Sequence, residues 1–359
     1  MIYLIRANYA NEFELQNYLP ITKKLNINVI TSHKALTKIS LPNFQLWSPV
    51  DLPTFPYKRQ LLNRLIGGEQ WLFGLENLIS APSGESNFRN IAHTAETYTP
   101  YTHQAVQLRK KGVVSKLVCT CWETIPHNNE KLAIMRQWKM DAYKYVDLFH
   151  APTESAKQAL ITEGVDQNKI VVIPYGVDLK RFQPRDLQGY ALKGRSKTVL
   201  TVARLEIEKG MKDLEAVAKS LPQYDFLVIG SGSYHLRGDN IKTSSVSYSQ
   251  IHTHYQQADL FFLPSRTTNT WEEQYGMALV EAMASGLPIV TTRCGSIPEV
   301  VGPAGVILDE GDTTSMVKSI RGLLSNLQSL NEARTLSRSR ACKYFDSRQT
   351  SSKLAELYK

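Results

Sequence analysis

The chain has 359 residues, of which 42% are hydrophobic and 21% charged, the mix of a folded globular protein long enough for two domains. That composition excludes a disordered tail, a collagen and a disulfide-stapled miniature, and no stretch approaches the ~20 apolar residues that cross a bilayer. Forty-two Lys and Arg against 33 Asp and Glu leave a formal charge of +9, which favours anionic partners: nucleic acid, acidic lipid or phosphorylated small molecules.

Residues 1–8 turn polar too soon for a secretory leader and read as a first strand, so the protein is expected to be cytoplasmic. Further strands are expected at 28–31, 116–120, 147–150 and 170–173, and a probable one ends near His93 and Glu96. Between them, residues 41–68 are rich in Pro, Gly, aromatics and basic residues and predict a long loop with a short helix. Pro174, Gly176 and Pro184 break regular structure and predict a linker. Beyond it, residues 198–203, 226–229, 260–263, 289–292 and 306–308 are short, nearly continuous apolar runs. Runs of that kind suit strands buried on both faces, as in a parallel sheet. Met211, Leu214, Val217, Ala218 and Leu221 recur at helical spacing, and so do Met277, Val280 and Ala284. Strand and helix alternate, which is the pattern of a doubly wound α/β domain. The four cysteines, Cys119, Cys121, Cys294 and Cys342, form no C-x-x-C pair and no metal-ligand spacing.

Three segments carry chemistry. After the run ending at Ala203 come Arg204, Lys209 and Gly210, and a helix follows. Ligands of parallel sheets bind beyond the carboxyl ends of strands, where one planar guanidinium and one ammonium would clamp a diphosphate. An ordinary solvated loop reads the same residues equally well. Gly230-Ser-Gly232 follows the next run and would let backbone approach a ligand, although a simple turn explains it better. Ser265 and a polar loop then lead to Glu273, Tyr275, Gly276, Met277 and Glu281. Amides near Tyr275, Gly276 and Met277 would open a helix and attract an anion. Glu273 and Glu281 are eight residues apart, about 12 Å along a helix and similar to the length of a sugar nucleotide.

Gly286-Leu-Pro288-Ile-Val290 and Gly295 with Glu299 follow in order. Together, the R-x4-K-G loop, the E-x7-E motif, these glycine segments, the 258–265 stretch and the 173–182 stretch resemble the family-4 glycosyltransferases of the GT-B fold. The resemblance runs from about residue 115 to the end. It implies an α/β architecture of two Rossmann-like doubly wound domains facing a central cleft. Residues 1–176 with a crossover helix at 340–359 would form the acceptor side, 177–184 the linker and 185–339 the nucleotide-sugar side. It implies retaining transfer of a hexose from a UDP- or GDP-type sugar, without a bound metal or other cofactor, to a glycan, lipid-linked or small-molecule acceptor. By the same resemblance Arg204 and Lys209 hold the donor phosphates, aided by amides at Gly276 and Met277. Glu273 takes the sugar hydroxyls and Glu281 the ribose, with Tyr275, Gly230 and Ser265 nearby.

The first half departs from the family. Asn8 to Glu14, including Asn11, stands where many members carry a glycine pair, and Trp122 stands where many carry a histidine. Trp122, Glu123, His127, His93, Glu96 and Asn11 are the candidates for the sugar or acceptor side. A core Trp with a partnered Glu explains Trp122 and Glu123 as well. Lys58, Arg59 and Arg64, interleaved with Phe55, Tyr57, Leu61, Leu62 and Leu65, read as a basic amphipathic patch for an anionic membrane, or as a solvated face. Such a patch would place the protein peripherally at the inner face of the cell membrane. Two other functions compete: a GT-B sugar-nucleotide epimerase, against which the paired motifs argue, and a basic nucleic-acid-binding protein. The positive charge is spread thinly and no nucleic-acid motif is present, so no nucleic-acid partner is expected.

Overall fold

Two separate parallel sheets organise the chain. The computed structural model describes residues 1–66, 68–80, 89–130, 132–185 and 196–359. They divide into two compact units, Met1–Tyr175 with Arg348–Lys359, and Gly176–Ser347.

In the first unit the strands are β1 (Ile2–Ala7), β2 (Ile27–Thr31), β3 (Asn43–Gln45), β4 (Ile91–Ala95), β5 (Lys116–Thr120), β6 (Leu148–Ala151) and β7 (Ile170–Val172). They lie in the order β3-β2-β1-β4-β5-β6-β7, all parallel. β1 is buried along its whole length, because helices cover both faces of a doubly wound sheet. Its register sets Leu4 beside Val29 on one side and beside His93 on the other. Leu72, Ile79, Tyr101, Val106 and Val146 pack onto the sheet to form one core.

The second unit holds β8 (Lys197–Val202), β9 (Tyr224–Ile229), β10 (Ile241–Ser244), β11 (Leu260–Leu263), β12 (Ile289–Thr292) and β13 (Gly305–Leu308). Their order is β10-β9-β8-β11-β12-β13, again all parallel. This is the nucleotide-binding order 3-2-1-4-5-6. The strand direction of winding reverses between β8 and β11 here and between β1 and β4 in the first unit. Ligands of open α/β sheets sit outside the carboxyl ends of such strand pairs.

The apolar runs located the central strands to within a residue or two. They did not show β3, a three-residue exposed edge strand inside the expected long loop, nor β10, a half-exposed edge strand. Edge strands face water and so carry no apolar run. The short helix expected in the 41–68 stretch is Lys58–Ile66. Within it Lys58 is not a surface cation. It is buried, and its Nζ donates to the carbonyls of Val50 (3.1 Å) and Leu52 (2.9 Å). Phe55, Tyr57, Leu61, Leu65 and Arg64 are exposed, Leu62 is half-buried, and the side chain of Arg59 lies outside the described residues. The 174–184 stretch is packed rather than loose: Tyr175, Val177 and Phe182 are buried, and Val177 N donates to Phe345 O. The chain returns to the first unit at Arg348, where Thr350 Oγ1 donates to Pro174 O (2.9 Å).

Candidate functional site

In the second unit the loop after β8 and the loop after β11 meet at the switch point. Gly210 closes the short turn Ile207–Lys209 at φ +71°, and a Cβ there would fall 1.8 Å from Pro264 O. Only glycine lets these two backbones touch. That contact places Lys209, from one loop, against Ser265 and Glu273, from the other. Lys209 Nζ lies 2.7 Å from Glu273 Oε2, and Ser265 Oγ donates to the same oxygen at 3.1 Å. The ammonium also sits 4.6 Å from the centre of the Trp271 ring. Glu273 is 7% exposed, and its backbone is fixed by Ser296 N to its carbonyl and by Cys294 Sγ at its N–H. A nearly buried carboxylate with one close cation is a stable resting arrangement.

Arg204 is placed differently. Its NH2 pairs with Glu208 Oε1 at 3.0 Å, and its side chain is more than half exposed. The structure therefore brings Lys209, Ser265 and Glu273 together and holds Arg204 on a neighbouring acid. Gly230 is a packing residue: a Cβ on it would lie 1.8 Å from Ala203 O, so it permits β8 and β9 to end side by side. Tyr275 is buried, with its ring edge-on to Phe345 at 6.5 Å.

Gly276, in the left-handed conformation, caps the helix Met277–Ala284. Four residues into that helix Glu281 is 3% exposed. Its two oxygens accept from Tyr248 OH (2.8 Å) and Tyr255 OH (2.7 Å). Burial pushes its carboxyl up to about 7, with the two hydroxyls and Arg181 pulling the other way. The guanidinium of Arg181 lies 4.4 Å from the Tyr248 ring centre. Tyr248, Tyr255, Arg181 and Trp271 escaped the sequence reading. Each reaches its partner through tertiary packing, and no local spacing marks it.

The first unit uses most of its candidates internally. Asn11 caps the helix Glu12–Leu15: Oδ1 accepts from Glu14 N and Nδ2 donates to Tyr9 O, each at 2.8 Å. His93 is wholly buried and does not face a cleft; its ring nitrogens meet Tyr358 OH (2.6 Å) and Thr120 Oγ1 (2.8 Å). Burial, then Arg6 and His150, hold it well below the usual histidine range. Glu123 folds its own loop. It accepts from the N–H groups of Thr124 and Ile125 and from the amides of Asn128 and Asn129. The Trp122 ring stacks on Tyr175 at 4.7 Å. His127 is exposed, and its Nδ1 meets Glu130 at 3.2 Å. His127, Glu130 and Glu163 form the one possible metal-ligand group among the described residues. Lys139 Nζ already lies 2.9 Å from Glu130 and 2.7 Å from Glu163, so an ammonium holds the place a metal would need.

Glu96 stands apart. It follows β4 at φ +59° and accepts from Trp122 N at 2.8 Å, and burial pushes its carboxyl up to about 8. Ala7, the last residue of β1, and His127 and Asn129 after β5 also have positive φ. Among the described residues, four of the five non-glycine residues with positive φ thus end or follow three adjacent strands of this sheet. Backbone strain of that kind collects at functional sites.

With this geometry in place the comparisons are decisive. Residues 182–340 match the family described as "Glycosyl transferases group 1", and residues 89–181 match "Glycosyltransferase Family 4". The chain belongs to these glycosyltransferases. It is 28% identical over 63% of its length to the MMP alpha-(1->4)-mannosyltransferase of Mycolicibacterium hassiacum, and covers 58% of that protein. The chain spans between 38% and 58% of the length of the curated relatives it matches first. Among solved structures, sucrose-phosphate synthase from Thermosynechococcus elongatus superposes with a TM-score of 0.77 at 16% identity, over 99% of this chain and 98% of that one. Anabaena Alr3699/HepE, in complex with UDP and glucose, gives 0.74 at 16% identity over the same shares of the two chains. These likenesses show the fold: α/β, with two Rossmann-like sheets of the GT-B type. No helix among the described residues is long and apolar enough to cross a membrane.

Proposed function

We propose that this family member is a retaining glycosyltransferase that moves a hexose from a nucleotide-diphosphate sugar to a glycan, lipid-linked or small-molecule acceptor. The observation that carries the reading is the Lys209–Glu273–Ser265 cluster at the β8/β11 switch point, ahead of the helix start at Gly276 and Met277. In the resting protein Lys209 neutralises Glu273 and Arg204 is parked on Glu208. A diphosphate is a stronger partner for both cations than either carboxylate. When it binds, Lys209 and Arg204 turn to its oxygens, helped by amides at Gly276 and Met277. Glu273 is then free to accept hydrogen bonds from the sugar hydroxyls. Glu281, released from one of its tyrosines, takes the ribose.

Bond breaking puts negative charge on the departing diphosphate. Cations fixed in advance stabilise that charge as it forms, and they supply the main electrostatic help. The diphosphate leaves without a protonated acid, unlike the leaving group in glycoside hydrolysis, so Glu273 needs no second carboxylate as partner. The chain's own cations do the work that a metal would otherwise do. The acceptor hydroxyl attacks on the face the diphosphate leaves and gives its proton to the departing phosphate, which keeps the anomeric configuration.

A thermal-shift screen of UDP, GDP and their sugars tests the donor reading. One nucleotide should raise the melting temperature, since a ligand that binds only the folded state stabilises it by mass action. The shift should persist in EDTA. Silence across all of them would remove the donor reading, and an inverted anomer in the product would remove the retaining route. On the acceptor side, Phe55, Tyr57, Leu61 and Leu65 expose apolar surface beside Arg64. We place a lipid-linked acceptor's membrane there. Sedimentation with anionic vesicles at low salt should capture the parent chain and not Leu65→Glu.

A further inference from the structure

A cavity lies at the outer edge of the first sheet, where no part of the donor reading reaches. The chain leaves β2 at Thr31, crosses in an irregular loop and returns as the parallel edge strand β3. The register sets Val29 beside Asn43 and Thr31 beside Gln45. Alternate residues of a strand share a face, so Thr31, Asn43 and Gln45 point the same way. Loop residues 35–39 line the other side and leave a space of about 470 Å³, a size that holds small ligands. The loop is pinned on several sides. Leu36 N donates to Ala10 O at 3.0 Å, Glu12 N to Thr37 Oγ1 at 2.7 Å, Ser40 Oγ to Glu12 Oε1 at 2.8 Å, and Lys34 N to Asp51 Oδ1 at 3.0 Å. A preformed site loses less freedom when a ligand arrives.

Two features select the ligand. The first is Thr31, a fully buried residue on the cavity's wall whose Oγ1 has no hydrogen-bond partner. A buried hydroxyl without a partner is costly, and a ligand oxygen satisfies it. The second is a pair of amides. The Gln45 amide bonds nothing in the described chain, and Asn43 uses only Nδ2, on Leu41 O at 3.0 Å. They stand two residues apart on the strand, about 6.6 Å, which is close to the span between hydroxyls on opposite sides of a six-membered sugar ring. An amide both donates and accepts, and so does a hydroxyl, whereas an inorganic anion only accepts and leaves the amide oxygens unmatched. No carboxylate lines the cavity among the described residues, which argues against a metal cation. Ala35, Leu36 and Ile39 make the remaining wall apolar, a match for the C–H face of a sugar.

We propose that this cavity binds a pyranose unit of a neutral glycan. Asn43 and Gln45 hold hydroxyls on either side of the ring, Thr31 Oγ1 donates to a further oxygen, and the C–H face rests on Leu36 and Ile39. Two residues past Gln45, the exposed rings of Trp47 and Phe73 lie with their centres 5.0 Å apart. They offer an apolar platform to the next sugar of the chain. The site uses none of the donor residues and stands or falls without the donor reading.

Ligand-observed NMR titration of the full chain with maltotriose, cellotriose and mannotriose, in saturating UDP and GDP, tests the proposal. At least one trisaccharide should bind saturably. Asn43→Ala and Gln45→Ala, both at exposed positions, should each weaken it roughly three- to tenfold, the effect of losing one neutral hydrogen bond. Thr31→Val removes the hydroxyl and little else. It should weaken binding by a similar factor while the melting temperature holds or rises, because an unpaired buried hydroxyl does not stabilise the fold. Absence of saturable binding by all three sugars overturns the proposal. So does binding that all three substitutions leave unchanged, because that sugar would be sitting elsewhere.

Discussion

The two sheets wind alike, yet the residues outside their carboxyl ends are employed differently. At the second switch point the charged groups meet each other in pairs that an incoming anion can exchange: Lys209 with Glu273, Arg204 with Glu208. At the first, they are locked into the fold. Arg6, fully buried, donates Nε to Glu14 Oε1 at 2.9 Å and NH1 to His93 O at 2.7 Å. Tyr175 OH donates to the same Glu14 oxygen, Tyr18 OH meets Tyr175 OH at 3.1 Å, and Tyr358 joins through His93. In one half the charged groups pair with each other within and between loops, and in the other they hold strands, helix and tail in place. A polar residue near a strand end is therefore a site residue only when its partners can be exchanged.

The sharpest way to break this contrast is to remove a locked partner. Glu14→Ala should cost about 3–5 kcal/mol, because it leaves Arg6 charged and buried with no counterion. Urea unfolding followed by tryptophan fluorescence measures it. Nucleoside diphosphate binding by the second unit should survive under native conditions. A loss below about 1 kcal/mol, the level of a surface pair, would mean that the network is not structural and that the comparison is drawn wrongly.

The exchangeable side answers in rate rather than stability. Glu273→Gln should lower transfer by roughly 10²–10³, the usual effect of losing one preorganised polar group in an active site. Nucleoside diphosphate affinity should hold or rise, because Lys209 loses its competing carboxylate. Turnover by product assay and binding by calorimetry separate the two readouts. Equal turnover in variant and parent would remove Glu273 from the sugar.

How much of this was legible follows the same division. The central strands β8, β11 and β12 announced themselves as apolar runs, since burial on both faces forbids alternation. Lys209, Ser265 and Glu273 could be grouped because they sit next to strands that must be neighbours in a doubly wound sheet. Glu281 was legible, but its partners were not: Tyr248 and Tyr255 lie 33 and 26 residues away and meet it only through packing. His93 and Asn11 were harder to read for a related reason. Both stand near strand ends, and only the fold shows His93 turned onto Tyr358 and Asn11 turned onto its own helix. Local spacing reports which strand end a residue is near, and long-range contacts decide whether it is free to act.

Glu281 gives a smaller, pH-dependent test. Its carboxyl titrates at about 7 in the folded chain, above its ordinary value of 4.5. Between those two values the folded state holds a proton that the unfolded state has released. Stability from this group is therefore full below about 4.5 and falls as pH rises towards 7. Glu281→Gln should flatten that decline and raise stability at pH 8 by roughly 1–3 kcal/mol. Donor binding should move the opposite way in the parent. The ribose needs the carboxylate, so nucleotide affinity should improve from pH 6 to pH 8 and lose that dependence in the variant. An unchanged stability profile would place the Glu281 carboxyl in water rather than between two tyrosines.

Asn11 carries the smallest effect and separates the two roles most cleanly. Its backbone is extended at φ −149°, ψ 150°, the usual conformation of a residue that starts a helix. With Oδ1 on Glu14 N and Nδ2 on Tyr9 O, both ends of the amide are engaged within the fold. Asn11→Ala should therefore cost about 1 kcal/mol, the value of an N-cap, and leave transfer at the parental rate. Asn11→Asp keeps the accepting oxygen, so most of that stability should return. An acceptor-binding role makes the opposite demand. It requires that Asn11→Asp stay folded and stable while the acceptor KM rises, because a carboxylate cannot donate as the amide does. Melting temperature and acceptor KM measured on the same two variants decide between the roles. A raised KM in the stable Asp variant would move Asn11 from the locked half of the molecule to the exchangeable one.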